Sequence, residues 1–171
     1  MKINGKSISL GDNINTDFII SGRYKFSITD IKELSKHIME DIDPNFPAKI
    51  IPGKSIIVAG KNFGMGSSRE QAPLVIKESG IAAILAKTFA RIFYRNSFNI
   101  GLPLIEVDTD KIAEGDNLEI DLDSGIVKNL NKKTQLKIKP LPVFMQDILR
   151  EGGLVNYIKK FGKLKISEAT T

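Results

Sequence analysis

The middle of the chain alternates between short apolar runs and segments with helical spacing. Residues 54–60, 81–86 and 102–107 are apolar runs of strand length. Between them, residues 69–78 and 89–97 predict helices, and a glycine lies beyond the end of each. The order strand, helix, strand, helix, strand predicts a parallel α/β unit.

The N-terminal third has a different texture. Residues 2–10 alternate loosely between apolar and polar side chains and predict a strand. From Ile31 to Met39 the apolar residues fall at helical spacing, which predicts a helix with capping residues at 27–30. The two prolines within residues 43–47 are expected to end that helix.

The C-terminal third changes pattern again. Residues 116–139 alternate apolar and polar side chains, which predicts antiparallel strands in a small β-barrel or a further sheet layer. Residues 143–150 and 154–161 predict two short helices separated by a glycine pair. We expect residues 167–171 to be a frayed tail.

Composition limits the class of protein. A length of 171 residues suits one domain with a sizeable core, so we expect a single domain over residues 1–171. No apolar run approaches the length needed to span a bilayer, and the first residues lack the apolar core of a signal peptide. We therefore expect a cytoplasmic protein without membrane contact.

Cysteine is absent and histidine occurs once, as His37. This excludes disulfides, a cysteine nucleophile and an iron–sulfur cluster held by thiolates of this chain. Zinc sites and histidine-based triads are disfavoured for the same reason, and His37 is predicted on a solvated polar helix face. The net charge of +5 indicates either a soluble basic surface or a face for an anionic substrate or acidic partner, and no nucleic-acid motif accompanies it.

The segment richest in chemistry reads Gly-Met-Gly-Ser-Ser-Arg-Glu at residues 64–70, between a predicted buried strand and a helix. Ligands bind at that edge of open α/β sheets, and helix N-termini favour anions. Ser67 and Ser68 supply hydroxyls, and Arg69 can fork onto a carboxylate. From the residues alone, Ser68 as a helix cap and Arg69 as a surface ion-pair partner stay open. The spacing fits neither a P-loop nor a nucleophile elbow.

Four ordered segments resemble the swivelling domain of the aconitase superfamily. Residues 64–70 closely resemble its Gly-x-Gly-Ser-Ser-Arg-Glu signature, and Asn-Thr-Asp at 15–17 resembles its Asp-Thr-Asp. Residues 88–96 resemble a second hallmark that usually begins with Ser instead of Thr, and residues 151–154 resemble a C-terminal element. The resemblance implies a three-layer β/β/α fold with a central parallel unit and a small antiparallel segment.

The resemblance also implies a function. In that family the domain faces a large subunit with a [4Fe–4S] cluster, and the pair dehydrates and rehydrates a 2-hydroxy di- or tricarboxylic acid. By resemblance, Ser67 is the base that removes the carbon-bound proton, Asp17 orients the site, and Ser68 and Arg69 bind substrate. This chain is then a small subunit with no cofactor of its own, in a heterodimer or heterotetramer. A non-catalytic anion-binding module is the alternative from another class.

By resemblance to the family, the segment after the Asp-Thr-Asp-like turn is expected to contact the variable group of the substrate and so to determine which substrate is used. Arg23, Tyr24, Lys25 and Phe26 are its candidate substrate contacts. Homoaconitase-like small subunits tend to carry Arg two places after the Tyr, where this chain has Phe26. An apolar side chain suits an isopropyl group, so isopropylmalate dehydratases are the first expectation. Arg23 and Lys25 can still reach an anion, which leaves homoaconitases and dehydratases of methyl-substituted malates as alternatives.

Two arginines in the second hallmark have a structural expectation. Arg91 and Arg95 lie one helical turn apart, and we expect them to form ion pairs with nearby acids, with substrate contact as the alternative. The stripe of Phe89, Ile92 and Phe93 is expected in the core.

Overall fold

A computed structural model describes residues 1–67 and 70–163, and for Lys25 the backbone alone. Its seven strands form one sheet in the order β4-β3-β2-β1-β5-β6-β7. The strands are β1 Lys2–Ser9, β2 Ser55–Val58, β3 Ile81–Ala86, β4 Leu104–Glu106, β5 Asn117–Asp121, β6 Ile126–Asn129 and β7 Thr134–Lys137. Strands β1 to β4 pair in parallel, and β1, β5, β6 and β7 pair antiparallel in succession.

Short helices complete the described chain. They are α1 Thr16–Ile19, α2 Gly22–Lys25, α3 Ile31–Ser35, α4 Phe46–Lys49, α5 Gln71–Glu78, α6 Arg91–Asn99, α7 Val143–Arg150 and α8 Leu154–Phe161. Helix α5 packs on α1, α3, α6 and β3, while α7 and α8 pack on α6. Within the described ranges, no helix combines the length and the apolar character that a membrane crossing requires.

The core is centred on the parallel strands. All four residues of β2 and five of the six in β3 are buried, as expected for strands covered on both faces. Strands β5 and β6 instead alternate buried with less buried positions, so one face of that part of the sheet meets the core. The predicted combination of a parallel α/β unit with an antiparallel segment is confirmed.

The antiparallel strands differ from prediction in where they attach. They form no separate barrel, because β5 pairs with β1 from Lys2↔Asp121 to Lys6↔Asn117 and so extends the same sheet. Strand β1 is thus shared, with parallel β2 on one side and antiparallel β5 on the other. The single-domain expectation for residues 1–171 stays a prediction, and the tail at 167–171 lies outside the described residues.

The helix predicted from Ile31 ends early. Asp30 caps it as expected, accepting from the Glu33 N–H at 3.0 Å, but α3 stops at Ser35. Met39 adopts a left-handed backbone with φ of 54°, and its N–H donates to the Ile19 carbonyl at 3.0 Å. Ile38 and Met39 are still fully buried, so the apolar spacing reported burial correctly and helix length wrongly.

Pro47 does not end the helix predicted from Ile31, because α3 already stops at Ser35. It lies in the first turn of the short helix α4, where a missing N–H costs no hydrogen bond. Helices α5 and α6 begin two residues later than predicted, at Gln71 and Arg91, and β3, α7 and α8 have the predicted bounds.

Candidate active site at the glycine loop

The glycine loop, residues 60–70, joins the carboxyl end of β2 to α5 and is described as far as Ser67 and again at Glu70. Gly64 and Gly66 have φ of 80° and 93°, a region that other residues enter only with strain. A methyl group on Gly64 would collide with the Phe93 ring, and one on Gly66 would collide with the Asn15 amide. Both glycines are therefore required by backbone shape and by close packing.

Residues 14–17 lie along this loop. The Gly64 N–H donates to the Ile14 carbonyl at 2.8 Å, and the Thr16 N–H donates to the Met65 carbonyl at 2.9 Å. The Asn15 side chain caps α1 by accepting from the Asp17 N–H at 2.9 Å. Asn in place of the first Asp of the family-like triplet thus keeps the capping oxygen and loses only a charge. Asp17 itself lies exposed on α1.

Ser67 is held by its backbone. Thr16 is buried, and its hydroxyl donates to the Ser67 carbonyl oxygen at 3.1 Å. The Ser67 side chain is exposed, and within the described part of the chain its hydroxyl makes no hydrogen bond. Sequence reasoning missed Thr16, although its place between Asn15 and Asp17 in a recognised triplet was the available signal.

The second hallmark supports the loop from the other side. The Thr88 hydroxyl accepts from the Asn62 N–H at 2.7 Å, so Thr in place of the usual Ser preserves the acceptor. The Phe63 N–H donates to the Thr88 carbonyl, and the Ala90 N–H donates to the Phe63 carbonyl. Three segments far apart in sequence therefore meet at the glycine loop.

Aromatic packing fills the space beneath these hydrogen bonds. The buried Phe63 ring meets Phe89 and Phe93 edge to face, with centroid distances of 6.1 and 5.4 Å. These contacts confirm that Phe89 and Phe93 belong to the core or pack against it. The same expectation is wrong for Ile92, which is 55% exposed.

The ion pairs expected at Arg91 and Arg95 are not found. Both side chains are exposed on α6, and among the residues that the structure describes neither contacts a carboxylate. The first turn of α6 contains no acidic residue. Arg91 stands at the helix N-terminus, where the macrodipole disfavours a cation, and Arg95 follows one turn later as a like charge.

The C-terminal family-like element lies elsewhere. Gly152 and Gly153 join α7 to α8 and pack so closely on Gly101 that a methyl group there would collide with the Gly152 backbone. Lys77, in the last turn of α5, donates to the Gly152 carbonyl at 3.0 Å. These contacts are with the C-terminal ends of α5 and α6, whereas the glycine loop adjoins their N-terminal ends. The element therefore lies away from the glycine loop.

The expected substrate-selecting segment is α2 with Phe26 at its C-cap. Arg23 forms an ion pair with Asp41, and its Nε donates to the Ser21 hydroxyl at 3.3 Å. Its guanidinium lies 5.4 Å from the Tyr24 ring centroid. Phe26 is 85% exposed. The Lys25 side chain lies outside the described residues.

His37 is not solvated on a polar helix face as expected. Its ring stacks on Tyr24 with a centroid distance of 3.9 Å and an interplanar angle of 13°. Its Nδ1 lies 3.1 Å from the Glu40 carboxylate. Hydrogen bonding to Glu40, followed by burial, raises the pKa of Tyr24 above its usual value. Because the helix stops at Ser35, the turns that follow bring the imidazole over α2.

Ser68 and Arg69 lie outside the described residues, so their predicted roles stay predictions. Glu70 is the N-cap of α5, and its side chain makes no capping hydrogen bond. The chain has no cysteine. No three His, Asp or Glu side chains come together as a metal ion would require, within the part of the chain that the structure describes. This chain therefore has no thiolate to hold an iron–sulfur cluster.

Comparisons with known proteins agree with the geometry. The family described as the Aconitase C-terminal domain matches residues 17–110, more than half of the chain and including the glycine loop. The 3-isopropylmalate dehydratase small subunit 2 of Archaeoglobus fulgidus is 54% identical, covering 97% of this chain and 100% of that protein. The small subunit of the same enzyme from Thermodesulfovibrio yellowstonii is 56% identical, covering 94% of this chain and 95% of that protein.

A solved structure extends the likeness to the backbone. The crystal structure of 3-isopropylmalate dehydratase from Methanocaldococcus jannaschii superposes with a TM-score of 0.89 at 49% identity, covering 95% of this chain and 96% of that one. Sequence, motif geometry and fold thus agree: the chain belongs to the 3-isopropylmalate dehydratase small-subunit family, and its fold is the swivelling domain of the aconitase superfamily.

Proposed function

We propose that this chain, with a large iron–sulfur subunit, interconverts 2-isopropylmalate and 3-isopropylmalate by dehydration and rehydration. The observation that carries the proposal is the meeting of residues 14–17, 62–67 and 88–90 around an exposed serine at the carboxyl edge of the parallel strands. Near-complete coverage of relatives named as small subunits of this dehydratase supports it. A cytoplasmic location stays a prediction.

Ser67 is the proposed base. Its backbone is tied to Thr16 while its side chain faces outward, which suits a group that must reach a substrate held mainly by a partner. As an alkoxide it takes the proton from the carbon next to the one that loses hydroxide. Returning that proton to the carbon that lost hydroxide, while hydroxide adds to the carbon that lost the proton, completes the isomerisation. The same residue thus serves both half-reactions.

A neutral serine is a poor base, so the alkoxide needs positive neighbours. Glu70, the N-cap of α5, lies three residues after Ser67. The first turn of that helix supplies backbone N–H groups and the positive end of the helix dipole. We assign Arg69 and Ser68 to binding a substrate carboxylate, and Asp17 to orienting these groups. Arg69→Lys then raises KM for every substrate, since lysine loses the planar fork.

The chemistry this chain lacks must come from its partner. When bound, the partner's [4Fe–4S] cluster supplies a Lewis acid for the substrate hydroxyl and one carboxylate. This chain has no thiolate to hold such a cluster. The assembly we propose is a heterodimer or heterotetramer with the large subunit, and the isolated small subunit neither holds iron nor turns over substrate.

The α2 segment supports an alkyl substituent over a third carboxylate. Phe26 presents an apolar ring that is 85% exposed, and the charge of Arg23 is already paired with Asp41. An anionic substituent would have to compete with Asp41 for that guanidinium. An isopropyl group requires no counter-charge and gains from contact with the ring.

The test is reconstitution with the large subunit, followed by kcat/KM on isopropylmalate, homocitrate-type and methyl-substituted malate substrates. We expect isopropylmalate to be preferred and the isolated chain to be iron-free and inactive. If a tricarboxylate were preferred, the isopropylmalate assignment would be wrong and the pair would be assigned as a homoaconitase. Binding of malates without turnover by the loaded pair would overturn catalysis and favour an anion-binding module.

A further inference from the structure

Both the ring and the backbone of Tyr24 are held by neighbouring residues. Its ring lies 3.9 Å from the parallel His37 ring, and the Arg23 guanidinium lies 5.4 Å from its centroid. Its carbonyl accepts from the Ser27 and Ile28 N–H groups at 3.1 and 2.8 Å. The turn that carries Phe26 is therefore closed around Tyr24.

The surface beneath Tyr24 is itself anchored to the site. Residues 37–41 follow α3 in turns, with Ile38 and Met39 fully buried. The Met39 N–H donates to the carbonyl of Ile19, the last residue of α1, the helix that also contains Asp17. Movement of this shelf, residues 37–41, would thus require breaking core contacts close to the candidate active site.

Glu40 fixes the orientation of the histidine on that shelf. Both carboxylate oxygens lie 3.1 Å from His37 Nδ1, so the Nδ1–H donates to the carboxylate and the ring plane is set. An imidazole free to rotate about its side-chain torsions would offer Tyr24 an edge as readily as a face. Asp41, the next residue, pairs with Arg23, which directly precedes Tyr24, and so ties α2 to the same shelf a second time.

We propose that His37 is a positioning residue for substrate selection, with Glu40 orienting it: the stacked His37 ring holds Tyr24, and through it sets where Phe26 meets the substrate's variable group. This inference rests on the proposed function, because it concerns the choice of substrate in that reaction. Neither His37 nor Glu40 contacts the reacting atoms in this assignment. Their effect is transmitted through a fixed tyrosine to an exposed phenylalanine.

The expected kinetic signature is a KM effect that depends on the substituent. Without the stack, Phe26 samples several positions, and contact with an isopropyl group is lost for part of the time. Proton removal by Ser67 depends on the glycine loop, whose hydrogen bonds to residues 14–16 do not involve the shelf. Hence kcat is expected to change little while discrimination among substituents falls.

The experiment uses the reconstituted complex and a series of variants at one position. His37→Ala removes the stack, and His37→Phe restores a stacking ring without the bond to Glu40. We expect His37→Ala to lower the ratio of kcat/KM for isopropylmalate to that for a methyl-substituted malate about tenfold, the scale of a modest pocket change, mainly through KM. His37→Phe is expected to return the ratio to within about twofold of the natural protein.

Two outcomes overturn the inference. One is an unchanged substrate ratio in a folded, assembled His37→Ala complex. The other is an equal loss of kcat on all substrates without rescue by His37→Phe, which indicates a purely structural role. Should His37→Ala fail to assemble, Glu40→Ala removes the carboxylate from both His37 and Tyr24 and is expected to lower the same substrate ratio, with Glu40→Gln as its acceptor-retaining control. An unchanged ratio in Glu40→Ala then overturns the inference. Inactivity of the natural pair on every malate homologue would instead be a failure of the proposed function.

Discussion

The parallel and antiparallel halves of the sheet differ in whether their polar side chains are paired within the fold. At the carboxyl edge of β1 and β2, left-handed glycines and an exposed hydroxyl make up the glycine loop. In the antiparallel half the polar side chains find partners within the fold: Glu119 pairs with Lys128 directly across the ladder at 2.8 Å. A parallel crossover must leave the sheet at every strand end, whereas a hairpin returns at once. The long connections are where function can be placed.

Asp116 shows how completely the antiparallel half satisfies a buried charge. Its carboxylate accepts from the Ala113 N–H at 2.8 Å and from the Asn129 amide at 2.6 Å, and Lys132 lies 3.3 Å away. These contacts, the Ala113 N–H first, hold the pKa of Asp116 below its usual value. The comparison therefore predicts that variants in the two halves separate activity from stability.

The largest effect is expected from Ser67→Ala. Loss of a positioned base lowers kcat of the reconstituted enzyme by roughly 10²–10⁴-fold. KM and the thermal midpoint stay near those of the natural protein, since the lost hydroxyl has no hydrogen bond within the described residues. Steady-state kinetics and thermal unfolding check this, with Ser124→Ala in the antiparallel half as the contrasting control, since it removes a hydroxyl that is hydrogen-bonded to Asp121 and is expected to lower the thermal midpoint slightly and leave kcat unchanged. Full activity of Ser67→Ala would remove serine from the mechanism.

The next effect is expected from Gly64→Ala, which brings the comparison to the backbone. The positive φ and the collision with Phe93 together are expected to lower the free energy of unfolding by about 3 kcal/mol and to displace Ser67. Gly53→Ala is the matched control, because φ is 73° but nothing lies within 4 Å of the added methyl. Denaturant unfolding of both variants separates strain from collision. Equal losses would show that packing against Phe93 is immaterial.

A smaller effect, on stability alone, is expected from Asp116→Ala. Removing the acceptor leaves the buried Asn129 amide unsatisfied, at a cost of about 2 kcal/mol. Because the folded pKa is lowered, the stabilisation by the carboxylate is present above the unfolded value of about 3.9 and is lost as pH falls through the folded pKa. The deficit of the variant is therefore expected to shrink below about pH 4 in denaturant titrations, while kcat at neutral pH is unchanged. If the loss of unfolding free energy in Asp116→Ala were just as large in acid, the negative charge of Asp116 would not be the source of the stabilisation.

The smallest effect is expected from Arg95→Gln. Relief of like-charge repulsion with Arg91 is expected to raise the free energy of unfolding of the isolated chain by about 0.2–0.5 kcal/mol at low salt. The gain should disappear in high salt, where exposed charges are screened. Thermal unfolding at two salt concentrations measures it. Destabilisation would mean that Arg95 has an acidic partner after all.

How much could be predicted depended on how local the cause was. Strand β3 and helices α7 and α8 have the predicted bounds. The signals that set those bounds are local: the apolar spacing inside each segment and the glycines or prolines directly beside it. The helix from Ile31 was overestimated because its end is decided by a hydrogen bond from Met39 to Ile19, twenty residues earlier in the chain. The strands at 116–139 were recognised, but their partner β1 lies at the other end of the chain.

The candidate site divides in the same way. Ser67 and Asp17 could be singled out because they stand in recognisable motifs. Thr16 and His37 could not be assigned their contacts, because those contacts involve Ser67, 51 positions away, and a ring stack that forms only when α3 stops short. The expectation for Arg91 and Arg95 was wrong because spacing on a helix cannot report whether an acid lies nearby.

The sequence by itself determined the order of elements, the family motifs and the exclusion of thiolate chemistry, since each is a property of residue identity and local spacing. Only the tertiary structure decided that residues 14–17, 62–67 and 88–90 share one site, and that Tyr24 is stacked while Phe26 is exposed. The physical reason is that parallel crossovers bring distant strand ends together, and a hydrogen bond or ring stack forms between neighbours in space whatever their separation in the chain.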